Sequence, residues 1–186
     1  MKLTVLRHPR VLEPHLCYGR LDVAIASLPE TRAILAERID EWRALHFGSD
    51  DVRIVTSPRT RCRVVADWLG EHLGRETHVE PLLAEMDLGT FEGAPYTTLE
   101  GQPEFQSFMS AWTTATAPGG ESLPAFEARI AEALRVSTSR GADEVWIAHA
   151  GVVRALRVLV DGATWAEAMR QQVPYLDPVS LSVPSA

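Results

Sequence analysis

Short apolar runs alternate along the chain with longer stretches in which apolar residues recur every three to four positions. The runs predict β-strands, because each is rich in Val, Ile or Leu and is bounded by polar or turn-forming residues. They lie at 2–7, 52–56, 77–79, 144–148 and 179–183. Since strands separated by helices form parallel sheets, the pattern predicts an α/β fold with a mainly parallel central sheet.

The helical stretches cover residues 29–46, 58–73, 122–139 and 152–160. The first has one apolar face, made of Ile34, Leu35, Ile39, Trp42 and Leu45. The second has a similar face, made of Val64, Val65, Trp68 and Leu69. Faces of this kind pack against a sheet, so we predict that the tryptophans belong to the core rather than to a ligand cage.

The segment 88–124 interrupts this alternation. Glycine and proline divide it into short helical pieces, at Gly89, Gly93, Pro95, Gly101, Pro103, Pro118, Gly119 and Gly120. We interpret it as a lid, a small helical insertion over a ligand crevice. The length of 186 residues favours a single domain spanning 1–186.

Composition and charge restrict the classes of partner. An apolar content of 46% is enough for a full core and excludes disordered and fibrous classes. No apolar run approaches the roughly 20 residues of a membrane span, and the first residues lack the profile of a signal peptide. The formal charge of −7 argues against nucleic acid or an anionic membrane as the partner.

The two cysteines, Cys17 and Cys62, fit neither a disulfide framework nor a metal-binding spacing. We therefore expect reduced thiols in a cytoplasmic protein. The sequence leaves open whether the two residues meet in space.

Arginine residues concentrate near the predicted strand ends and first helical turns, at positions Arg7, Arg20, Arg59, Arg61, Arg63 and Arg154. Such a distribution predicts a positive pocket in an acidic protein. An anionic small molecule is the substrate that this contrast favours.

Two histidines occupy equivalent positions in the pattern. His8 follows the first predicted strand, and His149 follows the fourth, about 140 positions later. Residues just beyond the carboxyl ends of strands face the crevice of an open α/β sheet, so the two imidazoles could meet there. One histidine after a strand is more often solvated or hydrogen-bonded, but the pair indicates an active site.

The residues after the second strand favour anion binding. Ser57 suits the N-cap and Pro58 the first helical position, so the free N–H groups of the helix would open toward the crevice. Arg61 in the first turn could bind a phosphate bidentately, with Arg59 as a second candidate; solvated helix residues are the alternative. The small residues and helix start after His149 would add a second helix N-terminus.

These groups suit phosphoryl transfer. A neutral imidazole can attack phosphorus and form a phosphohistidine if nearby cations keep the ring unprotonated and stabilise charge on the equatorial oxygens. In this interpretation Arg7, Arg61 and His149 supply the cations.

The leaving alkoxide also needs a proton. A carboxylic acid held partly protonated by burial beside the anionic substrate is the usual donor. Glu85 is the candidate, and Asp87 and Glu92 of the same acidic segment remain its competitors.

The motifs resemble those of the histidine phosphatase (phosphoglycerate mutase-like) superfamily, in order along the chain to about residue 160. The similar segments are 6–8, 57–61, Glu85 with Gly89 and 91–93, and 149–154. The resemblance implies a three-layer αβα sandwich and no metal or organic cofactor. It also implies roles for individual residues: His8 as nucleophile, Glu85 as proton donor, and Arg7, Arg61 and His149 as phosphate ligands, with Ser57 and Ala150 beside the phosphate.

One position departs from the family pattern. Pro9 stands where the family usually has glycine, which removes an N–H and restricts His8 to an extended backbone. The Arg-His-Pro sequence, the segment 17–22 and the Pro-Gly-Gly-Glu-Ser sequence at 118–122 resemble the branch that includes α-ribazole phosphatases of cobalamin synthesis. This implies that Tyr18, Gly19, Arg20 and Asp22 border the substrate, although a structural loop would explain the Tyr-Gly-Arg turn equally.

The favoured function is hydrolysis of a small-molecule phosphate ester through a phosphohistidine, with α-ribazole 5′-phosphate as a candidate substrate. The alternatives are a phosphoglycerate-type mutase, a protein phosphohistidine phosphatase and a non-catalytic phosphate-binding protein. Mutase relatives are typically longer, and an open crevice would suit a protein substrate better than one with a lid. The sequence leaves the oligomeric state open, with a homodimer as one possibility.

Overall fold

A five-stranded sheet forms the centre of the computed structural model, which describes residues 1–45, 47 and 52–183. The strands are β1 (Lys2–Arg7), β2 (Arg53–Thr56), β3 (Thr77–Val79), β4 (Glu144–Ala148) and β5 (Pro178–Ser182). Their order across the sheet is β3-β2-β4-β1-β5. The first four are parallel, and β5 pairs antiparallel with β1 at one edge. The prediction of a mainly parallel sheet is confirmed.

Helices cover both faces of the sheet. They are α1 (Leu28–Leu45), α2 (Thr60–Leu73), α3 (Tyr96–Leu99), α4 (Pro103–Ser110), α5 (Leu123–Arg140), α6 (Ala150–Asp161) and α7 (Trp165–Arg170). Residues of α1 and α2 share one apolar cluster with Leu6, Ile54 and Ile147 of the sheet. Residues of α5 and α6 share a second cluster with Leu3 and Trp146. The two clusters define the three-layer αβα arrangement that the family resemblance implied.

The boundaries of several helices differ from the predicted ones. The predicted first helix included His46, which lies outside the described residues. Helix α2 begins at Thr60 rather than at residue 58, because Pro58 and Arg59 form a bend before it. Helix α6 begins at Ala150, directly after the histidine. None of the described helices is long and apolar enough to cross a membrane.

The tryptophans pack mainly in the core. Trp42 and Trp146 are fully buried, in the clusters on opposite faces of the sheet. Trp112 and Trp165 meet edge to face with ring centroids 6.1 Å apart. These contacts agree with the predicted structural role.

The segment 88–124 has a small apolar cluster of its own. Phe91, Leu99, Phe105 and Phe108 pack together there with Cys17. Backbone hydrogen bonds between Cys17 and residues 93 and 94 connect this segment to the loop after β1. Cys62 lies in a different cluster, so the two cysteines are separate and free.

Candidate active site

The sheet order brings the two predicted histidines together. Strands β1 and β4 are parallel neighbours, and Arg7 pairs in register with Ala148. The next residue of each strand is therefore a histidine at the same edge. The imidazole centroids of His8 and His149 lie 5.3 Å apart, and both side chains are buried.

A cavity of about 260 Å³ lies at this edge of the sheet. Seven of the predicted site residues line it: Arg7, His8, Tyr18, Arg61, Glu85, His149 and Ala150. The other lining residues are Pro14, Tyr96 and Tyr175, which sequence reasoning missed. The wall thus combines two guanidinium groups, two imidazoles and one carboxylate.

The hydrogen bond of His8 defines its tautomer. Its Nδ1 lies 2.7 Å from the carbonyl oxygen of Pro9, which can only accept, so Nδ1 carries the proton and donates it. The Nε2 lone pair is then available for attack on phosphorus. Burial lowers the pKa of His8 to about 3, and the charges of Arg61 and Arg7 act in the same direction while the Pro9 bond opposes them. The imidazole is therefore neutral at neutral pH.

His149 contacts side chains from the start of the α2 segment. Its Nε2 lies 2.8 Å from the Ser57 hydroxyl oxygen and 3.6 Å from the Cys62 sulfur. Burial, then the charges of Arg61 and His8, hold the pKa of His149 well below its ordinary value. We expected His149 to supply a cation to the site, but this environment keeps the ring neutral, so the positive charge comes from arginine.

Arg61 is completely buried and is held by a loop after β1. Its two terminal nitrogens donate to the carbonyl oxygens of Leu21, at 2.7 Å, and Gly19, at 2.6 Å. The guanidinium carbon also lies 5.2 Å from the centre of the Tyr18 ring. The predicted bidentate fork is thus partly engaged by the protein, while the buried Nε–H makes no hydrogen bond within the described residues.

Gly19 and Arg20 differ from the prediction in their placement. Neither lines the cavity. A Cβ atom at Gly19 would lie 1.9 Å from the carbonyl oxygen of Met86, so only glycine lets this loop approach closely enough to hold Arg61. The Arg20 guanidinium lies 4.0 Å from the Glu121 carboxylate. Both residues therefore help to hold the loop after β1 in place and do not form the wall of the cavity.

Arg7 is fixed by two neighbours that follow α7. One terminal nitrogen donates to the carbonyl oxygen of Val173 at 2.7 Å. The guanidinium lies over the Tyr175 ring, 3.8 Å from its centre, in a cation–π contact. The Nε–H of Arg7 is buried without a hydrogen bond to the described residues.

The predicted cap of α2 is wrong. Arg59, not Ser57, occupies the N-cap position, and it makes no side-chain capping bond. The carboxylate of Asp22 instead accepts from the Thr60 N–H at 2.9 Å and from the Thr60 hydroxyl at 2.6 Å. A carboxylate of the protein therefore occupies this helix N-terminus, which we had expected to be open to the ligand.

Glu85 occupies the N-terminus of α6 in the same way. Its carboxylate accepts from the N–H groups of Met86 and Gly151, both at 3.0 Å. A Cβ atom at Gly151 would lie 2.1 Å from Glu85 Oε1, so glycine is required for this approach. The carboxylate is oriented on the cavity wall, next to the two histidines.

The competing carboxylates are engaged elsewhere. Asp87 accepts from the Gly89 N–H at 2.9 Å. Glu92 accepts from the N–H groups of Arg20 and Leu88, at 2.8 and 3.0 Å, and from that of Leu21. Neither lines the cavity, which leaves Glu85 as the one carboxylate among the described residues that do.

All three tyrosines of the chain line this cavity. Burial, followed by the neighbouring Tyr175, raises the pKa of Tyr18 to about 12, and a hydrogen bond joins the two side chains. Burial also raises the pKa of Tyr96, which is hydrogen-bonded to Cys17. The Tyr18 and Tyr96 hydroxyls are therefore protonated and able to donate. Tyr96 and Tyr175 lie in loop and short-helix segments without periodicity, so no sequence signal pointed to them.

Among the described residues, no group of three or more His, Cys, Asp or Glu side chains could hold a metal ion.

Comparison with known proteins agrees with this geometry. "Putative phosphoserine phosphatase 2" of Hydrogenobacter thermophilus is 28% identical over 167 residues, which cover 87% of this chain and 79% of that protein. The structure of the α-ribazole phosphatase from Shigella flexneri superposes with a TM-score of 0.80 at 21% identity, covering 99% of this chain and 91% of that one.

A mycobacterial glucosyl-3-phosphoglycerate phosphatase has the same fold, with a TM-score of 0.78 at 21% identity over 96% of this chain and 88% of its own. The family model of the histidine phosphatase superfamily (branch 1) matches residues 3–184, nearly the whole chain. This protein therefore belongs to the histidine phosphatase superfamily.

Proposed function

We propose that this protein is a phosphomonoesterase that hydrolyses a small phosphate ester through a phosphohistidine at His8. The observation that carries the proposal is the environment of His8. A neutral imidazole with a free Nε2 shares a cavity with two arginines and one oriented carboxylate. Family membership makes phosphoryl chemistry the natural use of this arrangement.

The first step transfers the phosphoryl group to the enzyme. Nε2 of His8 forms a bond to phosphorus as the ester P–O bond breaks, and the electron pair stays on the leaving oxygen. Glu85 acts as the general acid and gives this oxygen its proton. Arg7 and Arg61 stabilise charge on the equatorial oxygens, and His149, which is hydrogen-bonded to Ser57 behind the cavity wall, lies beside them.

The second step releases phosphate. Water attacks phosphorus, the P–N bond breaks, and its electron pair returns to Nε2 of His8. The Glu85 carboxylate takes a proton from the water, since the group that protonates the leaving oxygen in one direction can accept the proton in the second step. The products are the alcohol and inorganic phosphate, and the enzyme returns to its starting state.

The proposed substrate class is a small-molecule ester, with α-ribazole 5′-phosphate as the specific candidate. The motifs at 17–22 and 118–122 and the fold shared with an α-ribazole phosphatase support this choice. We further propose a single domain over 1–186 in which 88–124 acts as a lid, because Tyr96 of that segment lines the cavity. A cytoplasmic location and no nucleic-acid or membrane partner complete the proposal, which leaves the oligomeric state open, with a homodimer as one option.

Release of inorganic phosphate from a panel of phosphomonoesters tests the function. The panel includes α-ribazole 5′-phosphate, phosphoserine, 3-phosphoglycerate and p-nitrophenyl phosphate, assayed with wild type and His8→Ala in parallel. We expect turnover that depends on His8 and is fastest with α-ribazole 5′-phosphate. His8-dependent turnover that favours another ester would reject this substrate but keep the reaction. Turnover by His8→Ala at the wild-type rate, or none by wild type, would reject the reaction.

A further inference from the structure

Arg129 of α5 uses every N–H of its guanidinium, and most of them point toward the backbone around Glu85. Nε and one terminal nitrogen bind the Glu121 carboxylate at 2.7 and 3.0 Å. The remaining donors reach the carbonyl oxygens of Leu82, at 2.6 Å, Ala84, at 2.7 Å, and Glu85, at 2.9 Å. Since a guanidinium has five N–H groups, Arg129 has no donor left for a substrate.

Arg129 contacts the backbone where a short 3-10 helix, Pro81–Leu83, gives way to a segment without regular structure. Residues 85–88 belong to neither helix nor strand. Backbone of this kind is held only by the specific hydrogen bonds that it makes. Arg129 supplies three of these bonds on the N-terminal side of the segment, at Leu82, Ala84 and Glu85 itself.

Glu121 extends the same contact to the other side of Glu85. Its carboxylate accepts from the Asp87 N–H at 3.4 Å, and its own N–H donates to the Asp87 carbonyl oxygen at 2.9 Å. Gly120 allows this approach, because a Cβ atom there would lie 2.6 Å from that carbonyl oxygen. The Pro-Gly-Gly-Glu-Ser sequence at 118–122 thus packs against the segment that carries Glu85.

We propose that Arg129, through its ion pair with Glu121, is a positioning residue that sets the location of the Glu85 carboxylate relative to the leaving oxygen. The inference rests on the proposed function, since it assigns a partner to the proposed proton donor. Arg129 lies 13% exposed and Glu121 12%, so water competes little with this pair. Catalytic groups displaced by about 1 Å can lose about 100-fold in rate, so a modest shift of the backbone has a measurable effect.

The test separates positioning from simple support of the fold by changing the leaving group. Arg129→Met should lower kcat/KM, which reports the step in which the leaving group departs, by about 10- to 100-fold on an alkyl phosphate. With p-nitrophenyl phosphate, whose leaving phenolate needs little protonation, the loss should stay below about 3-fold. Arg129→Lys, which keeps the charge but not the fork, should recover part of the alkyl phosphate rate. Arg135→Met on the same helix is the matched control, because within the described part of the chain the Arg135 guanidinium pairs only with Glu132, at the exposed surface.

A double variant shows whether Arg129 acts through Glu85. Adding Arg129→Met to Glu85→Gln should cause no further loss on the alkyl phosphate, because the proton donor is already absent. Equal losses on both substrates, or multiplied losses in the double variant, would overturn the inference. If Arg129→Met does not fold, Glu121→Gln takes its place and should also slow the alkyl phosphate more than p-nitrophenyl phosphate, with smaller losses. Equal losses on both substrates in Glu121→Gln would likewise overturn the inference.

The failure of the proposed function would look different. In that case wild type would show no His8-dependent turnover of either substrate, whatever the state of Arg129. Wild-type turnover that requires His8, together with unselective losses in the Arg129 variants, would reject the positioning role alone.

Discussion

At the scale of single residues, the hydrogen bond between His8 and the Pro9 carbonyl explains why a proline is tolerated after the nucleophile. Proline lacks an N–H, but the bond uses its carbonyl oxygen, which every residue has. The proton therefore stays on Nδ1, and Nε2 keeps its lone pair. Pro9 is compatible with the nucleophile that we propose.

Changing Glu85→Gln should slow the reaction according to the leaving group. The amide keeps the shape but has no acidic proton, and its single carbonyl oxygen can accept from only one of the two backbone N–H groups that bind Glu85. In parallel steady-state assays we expect a loss of about 100-fold or more in kcat/KM for an alkyl phosphate and a much smaller loss in kcat/KM for p-nitrophenyl phosphate, because kcat/KM reports the step in which the leaving group departs and not the later attack by water. Equal losses on both substrates would contradict the role of Glu85, and Glu132→Gln on the surface is the control.

The neutral histidines should make the protein less stable in acid. Above pH 6.5, His8 is neutral in both folded and unfolded chains. As the pH falls from 6.5 toward 3, the unfolded chain binds a proton that the folded protein does not, so stability is lost over that window. The loss is up to about 1.4 kcal/mol per pH unit for each such histidine.

Urea unfolding between neutral and mildly acidic pH measures this effect. His8→Asn should show a shallower decrease of the unfolding free energy with falling pH than wild type, while His149 and the carboxylates contribute equally to both. Parallel curves for the two proteins would show that His8 is not held neutral by the fold.

At the scale of elements, the alternation of strands and helices predicted a parallel sheet with both histidines at one edge. The two side chains meet because β1 and β4 are parallel neighbours in that sheet. The positions of His8 and His149 then followed from the register, and the Arg61 position followed from the start of α2. The cap of α2 could not be predicted, because Asp22 reaches Thr60 from a loop that is 38 residues away in sequence. Likewise, Tyr175 reaches Arg7 from the turn after α7, where the next residue, Leu176, has a positive φ of 53°.

Replacing Asp22 tests the observed cap. Asp22→Ala removes the acceptor for the first N–H of α2, so we expect the free energy of unfolding in urea to fall by about 1 kcal/mol. Glu71→Ala, at an exposed position on the same helix, is the control and should change it by less than about 0.5 kcal/mol. A loss for Asp22→Ala no larger than for the control would argue against the cap.

At the scale of the whole molecule, the acidic chain and its arginine-lined cavity favour a small anionic ligand. A formal charge of −7 coexists with Arg7 and Arg61 on the wall of a cavity of about 260 Å³. The positions of the arginines in an acidic chain predicted a positive pocket, and the order of the motifs predicted the family. Sequence patterns did not predict the neutral state of His149, since its burial arises only when both faces of the sheet are packed.

The limited volume of the cavity predicts a preference between substrate classes. A phosphohistidine in a peptide would have to bring its backbone under the segment 88–124, whereas a small ester would not. We expect kcat/KM for a phosphohistidine peptide to be at least about 100-fold below that for the best small ester, measured by phosphate release. Comparable values for the two would favour a protein phosphohistidine phosphatase.

The central claim is that the phosphoryl group passes through His8. The most direct measurement mixes Glu85→Gln with p-nitrophenyl phosphate, quenches under alkaline conditions that preserve phosphohistidine, and locates the phosphoryl group by peptide mass spectrometry. In this variant the good leaving group departs readily while attack by water is slowed, so we predict a burst of p-nitrophenolate and a phosphoryl group on His8. A burst with the phosphoryl group on another residue, or undiminished turnover when His8→Ala is added, would contradict the mechanism.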